Sequence, residues 1–235
     1  MATAKKQEVS VTEDQLPAFM QGGDNRGNEN VTSDDMTIPR IQMIQDLSPQ
    51  HKKTKDEYIE GAEPGMVFNT VTGELYGNSV AVVPVLFRKE HIIWKDRDAG
   101  GGFRGAFSTP ADAKAALAEL DDSDDCEIIE TAQHFVLVVD LESDLENNPA
   151  YTEAVVSMSK SQMSPSRKWN AQIQTLGNAR FSNIYDLKAI TAQNAAGQDY
   201  YNWKPSRLQF VTETLYLAAE KLYEAVASGQ RDINR

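Results

Sequence analysis

An α+β fold rich in antiparallel strands, or a small β-barrel decorated with helices, is what the 235-residue sequence predicts. Three observations carry this expectation. Short β-like runs bounded by Gly, Pro and Asn recur along the chain, two helical patterns interrupt them, and a longer amphipathic helix follows them. Strands and helices do not alternate as a doubly wound sheet requires, and no internal repeat is present.

Residues 1–35 are polar, acidic and rich in Gly and Asn. They hold too little apolar surface to offset the entropy of ordering, so they read as a disordered arm. Structure is expected to begin near Ile38, where IPRIQMIQ reads as a short strand opening at a proline. The charged stretch HKKTKDEYIEGAEPG is loop, and MVFNTVTGELYG reads as two short strands around a Thr-Gly turn.

SVAVVPVLFRKEHIIWK is the longest β-like run, and Pro84 predicts a bulge or an edge within it. GGGFRG then reads as a flexible loop. STPADAKAALAEL is a helix with a Ser/Thr cap and a first-turn proline, ending in the acidic DDSDD. CEIIETAQHFVLVVDL gives one or two strands and EAVVSMSK another. SPSRKWNAQIQTL reads as a serine-capped helix, and FSNIYDLKAIT and DYYNWK as strands around AQNAAGQ. The spacing of Leu208, Val211, Leu215, Leu222 and Val226 predicts a helix over 206–227. The expected organisation is thus an arm (1–35), a folded domain (36–205) and a C-terminal segment (206–235) whose helix packs on the domain or self-associates.

Net charge is −12, which at first sight opposes nucleic acid. The distribution is uneven, however. Residues 112–146 carry twelve carboxylates against one lysine, a balance of −11; residues 160–207 carry seven Lys/Arg against two Asp, a balance of +5. A bipolar surface of that kind is compatible with DNA. A single cysteine, Cys126, fits a reducing compartment. No apolar run approaches the ~20 residues that span a bilayer, and no apolar segment follows the N-terminal lysines. The expectation is a cytoplasmic, non-membrane protein.

Most chemical signatures fail on inspection. His51, His91 and His134 are isolated, with no second His or Cys at zinc-ligand spacing, so no metal or cofactor is expected. Cys126 has no nucleophile signature, and no Gly-x-Ser-x-Gly elbow or Walker loop occurs. Gly100, Gly102 and Gly105 satisfy G-x-G-x-x-G, but no helix start follows them. DDSDD places Cys126 where a calcium loop needs glycine. The strongest enzymatic rival is HFVLVVDLES. Its Asp140 and Glu142 resemble the first motif of DnaQ-like 3′–5′ exonucleases, in which paired carboxylates hold two divalent ions. The later carboxylates lack that family's spacing.

Single-stranded nucleic acid is held by cations that track the backbone and by aromatic faces that stack bases. Two segments combine both. The first offers Arg88, Lys89, Trp94, Lys95, Arg97, Phe103 and Arg104; the second offers Arg167, Lys168, Trp169, Arg180, Tyr200, Tyr201, Trp203 and Lys204. Each tryptophan adjoins a lysine. The competing reading makes all three core anchors with snorkelling neighbours.

The stretches YIEGAEPGMVFNTVTGELY, VVPVLFRKEHIIWK, GGGFRG, ETAQHFVLV, SMSKSQMSPSRKWN and DYYNWK occur in this order. In that order they resemble a group of tailed-bacteriophage proteins described as single-stranded-DNA-binding proteins, over roughly residues 36–205. The resemblance implies an OB-fold core, coating of unwound DNA and a role in phage replication or recombination. Many proteins of that function end in an acidic tail that recruits partners and competes with DNA, whereas this chain ends in a mixed-charge helix. The acidic segment 121–130 is the expected site for such an element here, facing replication or recombination proteins. A phage structural or adaptor protein is the remaining alternative.

Overall fold

The computed structural model describes residues 27–32 and 36–233. The chain divides into two units, Met1–Met36 and Thr37–Arg235. Most of the arm expected at 1–35 lies outside the described residues. In its described part the Gly27 N–H donates to Glu29 Oε2 at 2.9 Å.

The second unit is α+β. Its strands are β1 (Ile41–Met43), β2 (Val67–Asn69), β3 (Ser79–Lys95), β4 (Gly102–Phe107), β5 (Cys126–Val139), β6 (Tyr151–Ser159), β7 (Asn183–Gln193) and β8 (Asp199–Phe210). Its helices are α1 (Pro110–Ala118), α2 (Met163–Gln174) and α3 (Glu213–Ala227). The main sheet is antiparallel in the order β6-β5-β3-β7-β8, with β4 also paired to β3; β1 and β2 form a separate pair. Strand pairing does not close this sheet among the described residues, since β6 and β8 are its edges. A strap spans the two edges in place of a ladder. The Val155 N–H on β6 donates to Pro39 O at 2.9 Å. At the other end Gln45 grips β8: the Tyr201 N–H donates to Gln45 Oε1 at 2.8 Å, and Gln45 Nε2 donates to Tyr201 O at 2.9 Å. Gly65, with φ +87°, lies under the Tyr201 ring, where a Cβ would come within 2.6 Å of it.

Alternation along β5 builds two cores. Val136 and Val138 face one cluster, with Trp169 and Ile173 of α2 and Ile41 and Met43 of β1. Phe135, Leu137 and Val139 face the other, with Leu215, Ala219, Leu222 and Val226 of α3. One helix therefore covers each face of the sheet.

Pro84 makes the predicted bulge: the β3–β5 register shifts between Pro84 and Leu86. The same region is a fork. β3 pairs with β7 only over Ser79–Val82 and with β4 only over His91–Lys95, so residues 83–90 have no strand partner on that edge among the described residues. α1 starts as expected, with Thr109 Oγ1 accepting from the Asp112 N–H at 3.1 Å.

Three local expectations need correction. Gly102–Gly105 of GGGFRG belong to the strand β4, and only Gly100 and Gly101 lie in the turn before it, where the Gly101 N–H donates to Asp96 O at 2.8 Å. α2 has no serine side-chain cap; it follows a 3-10 turn in which Lys160 adopts φ 50°. The C-terminal helix begins at Glu213, not near 206, with Thr212 as its cap. Pairing with β7 carries β8 on to Phe210, and Leu208 is an exposed strand residue. The spacing of Leu208 and Val211 suits a helix, but the ladder with β7 carries the strand past Leu208 to Phe210, and the Val211 N–H donates to Ser182 O.

Candidate nucleic-acid interface

Exposed aromatics and cations meet on the β3–β4 hairpin. Trp94 and Phe103 are cross-strand neighbours, 38% and 36% exposed. Their rings pack edge to face, with centroids 5.8 Å apart and planes at 69°. The ladder slips here: Ile93 opposes Gly105 while Trp94 opposes Phe103, so Arg104 is the extra residue of a bulge. A bulge re-aims the side chain it carries. Arg104 Nη2 donates to Asp122 Oδ2 at 3.0 Å, and Lys95 Nζ donates to the same oxygen at 2.8 Å. Hydrogen bonds from Lys95 and Arg104 hold the Asp122 carboxyl at about 2, well below the usual carboxylate range.

Lys89 and Arg88 of this segment are also matched. Lys89 Nζ lies 3.1 Å from Glu130 Oε1, and Arg88 Nη1 donates to Asp232 Oδ1 at 2.9 Å. The first segment thus presents aromatic surface, but carboxylates occupy Arg88, Lys89, Lys95 and Arg104, while Arg97 is exposed and pairs with no carboxylate among the described residues. Two of those carboxylates, Asp122 and Glu130, belong to the acidic segment 121–130.

The second segment is the reverse. Trp169 (0% exposed) and Trp203 (3%) belong to the core under α2. A ring without exposed surface cannot stack a base, so the packing alternative describes both. Tyr201 is half-buried beneath the strap. Arg167, Lys168 and Lys204 are exposed, and none pairs with a carboxylate among the described residues. The structure therefore joins Trp94, Lys95, Phe103 and Arg104 in one patch, and separates them from a set of unneutralised cations.

Sequence reasoning did not anticipate the surroundings of His134. The ring is buried on β5 and stacks on Trp169, with centroids 4.6 Å apart. Its Nε2 lies 2.9 Å from Ser166 Oγ and its Nδ1 2.9 Å from Arg180 Nη2. A guanidinium only donates, so Nδ1 accepts and the proton resides on Nε2. Burial, and then the Arg180 charge, push the imidazole pKa well below its ordinary value. The isolated His134 of the sequence offered no hint of this partnership, which spans 46 residues.

Asp140 and Glu142 are exposed in the turn after β5. Asp140 Oδ1 accepts from the Glu142 N–H at 2.9 Å, as a turn-forming Asp does. Among the described residues no group of three His, Cys, Asp or Glu side chains is placed to hold a metal ion. Burial and the nearby Asp122 charge push the Cys126 thiol up. No helix among the described residues is long and apolar enough to cross a membrane.

A family model described as Pam3 phage gp34-like protein matches residues 5–232. No curated protein and no solved structure matches the chain.

Proposed function

The chain belongs to the Pam3 phage gp34-like protein family, and on that premise we propose that it is a non-catalytic single-stranded-DNA-binding protein. It would act in phage DNA replication or recombination, in the host cytoplasm. The observation that supports this reading best is the exposed Trp94–Phe103 pair, flanked by Lys95 and Arg104 on a projecting hairpin. An exposed aromatic pair is a stacking platform for unpaired bases, each worth roughly 1–3 kcal/mol. Lys95 and Arg104 supply phosphate contacts once they leave Asp122. Lys89 and Arg88 lie further along the same strand, and Arg167 and Lys168 on α2 and Lys204 on β8 would offer further phosphate contacts outside that patch.

In this reading the sheet with its strap is a barrel of the OB type, opened between β6 and β8. The strap from Pro39 to Gln45 stands where a closing strand would pair. Asp122 and Glu130 act as phosphate mimics that compete with DNA for Lys95, Arg104 and Lys89, and the same acidic segment offers itself to protein partners.

The test is fluorescence anisotropy of a labelled oligo-dT at low and high salt, with recovery of intact oligomer checked in the presence of magnesium. Salt-sensitive binding of an uncut oligomer supports the proposal. Magnesium-dependent shortening that Asp140→Ala abolishes would replace it with the exonuclease. Absence of both would leave a structural or adaptor protein.

A further inference from the structure

Arg180 is a half-buried cation with only neutral partners. It stands three residues before β7, at the fork where β7 leaves the edge of β3. Its Cζ lies 5.6 Å from the ring centroid of Phe87, on the stretch of β3 that neither β7 nor β4 reaches, and 6.0 Å from that of Trp169. Nη2 donates to His134 Nδ1 at 2.9 Å and to Asn170 Oδ1 at 2.8 Å. These contacts fix the plane of the guanidinium without cancelling its charge. No carboxylate pairs with it among the described residues.

The chain has 35 acidic residues against 23 basic ones, so an unmatched half-buried arginine is unusual here. A desolvated charge is costly unless an opposite charge faces it. Burial pulls the Arg180 pKa down to about 10. Its neighbourhood is rich in donors: Nε of Arg180, Nε1 of Trp169 and the Tyr185 hydroxyl are all buried without a partner. Arg207, which acts on Tyr185 across the β7–β8 ladder, adds a second positive charge. Nη1 of Arg180 makes no hydrogen bond, yet it is absent from the fully buried unpartnered atoms, so it reaches solvent.

We infer that Arg180 is a binding site for a phosphoryl group, taken on the solvent-reaching edge of a guanidinium that His134, Asn170 and two aromatic faces hold in place. Nη2 is spent on His134 and Asn170 and Nε is buried, so the two N–H donors of a fixed, charged Nη1 are what a tetrahedral dianion or a phosphodiester oxygen would meet. The phosphate can come from two sources: the backbone of single-stranded DNA, or a free phosphoryl compound. The first source rests on the function proposed above, and the second does not.

The wild-type protein provides the test, so no outcome depends on a variant folding. Inorganic phosphate up to about 10 mM, the range of a single weak ionic site, is titrated at constant ionic strength. Unlabelled oligo-dT is titrated separately. The side-chain 15N resonances of Arg180 Nε and the His134 imidazole are followed in both. Saturable movement with both probes supports the site for phosphoryl groups in general. Movement with phosphate alone supports the site and separates it from DNA binding. Movement with DNA alone assigns it to backbone phosphate.

Arg180→Gln, with the fold verified by circular dichroism, is expected to weaken the effective probe by about tenfold or more. Arg180→Lys, which keeps the charge and loses the contacts to His134 and Asn170 that fix the donor, is expected to restore only part of that affinity. Resonances that stay put with both probes would overturn the inference.

Discussion

Nζ of Lys95 lies 2.8 Å from Oδ2 of Asp122, and that carboxylate oxygen also accepts from Arg104. The pair joins the hairpin carrying the exposed aromatics to the acidic turn before β5. In the proposed function it is a competition, because Asp122 occupies the positions that phosphates would take. Asp122→Asn is therefore expected to tighten oligo-dT binding severalfold at low salt, with the gain shrinking as salt rises. Anisotropy titrations at two salt concentrations check it, and an unchanged affinity argues against competition.

The same pairing fixes a pH dependence. The Asp122 pKa is depressed to about 2 by Lys95 and Arg104, from an ordinary value of 3.8. A depressed carboxyl pKa gives stabilisation that is complete above the ordinary value and lost as pH falls through the depressed one. Local order at the hairpin, followed through the Arg104 and Trp94 side-chain resonances, should hold down to pH 4 and loosen toward pH 2.

His134 acts in the same direction at a higher pH. Its pKa lies well below 6.5, because burial and Arg180 oppose the charged form. A neutral buried histidine gives stability that is complete above its unfolded pKa and lost as pH falls below it. Denaturant midpoints should decline below about pH 6.5 in the wild type. The decline should be shallower in His134→Gln, which cannot take up the proton.

Gly105 opposes Ile93 at the bulge with φ +149°, and a Cβ there would lie 2.8 Å from the Phe107 ring. Gly105→Ala is expected to destabilise the protein by about 1–3 kcal/mol through strain and displacement of that ring. Urea unfolding checks the magnitude. A neutral result would mean that the hairpin relaxes without cost.

Much of the fold was legible because period-two alternation and proline chemistry act locally. The long β3 run, the bulge at Pro84 and the Thr109-capped α1 follow from neighbouring residues alone. The opening of α3 did not, because Leu208 and Val211 satisfy a helical spacing and the deciding interaction is a ladder with β7, which is distant in sequence. The strand at GGGFRG was hidden by glycines that serve both its turn and its bulge.

The candidate site was legible only in composition. Trp94 and Trp169 each adjoin a lysine, yet the former sits at a hairpin tip and the latter in the core under α2. Burial depends on which sheet face a helix covers, and that is set by tertiary packing. The Arg180–His134 contact and the capture of Lys95 by Asp122 are likewise products of the assembled sheet.

Core and surface tryptophans should separate cleanly on mutation. Trp169→Ala removes a fully buried ring and is expected to cost about 3–5 kcal/mol, whereas Trp94→Ala should change stability little because its ring is partly exposed. Chemical denaturation of the two variants measures the contrast, and equal losses would contradict the assignment of Trp94 to the surface.

The most direct test of the central claim is intrinsic tryptophan fluorescence during titration with unlabelled oligo-dT at low and high salt, in the wild type and in Trp94→Phe. Trp169 and Trp203 are buried, so the response should report on Trp94. The account predicts quenching in the wild type that weakens as salt rises and is largely lost in Trp94→Phe. A folded wild-type protein that shows no quenching at low salt, or quenching that survives unchanged without Trp94, would contradict it.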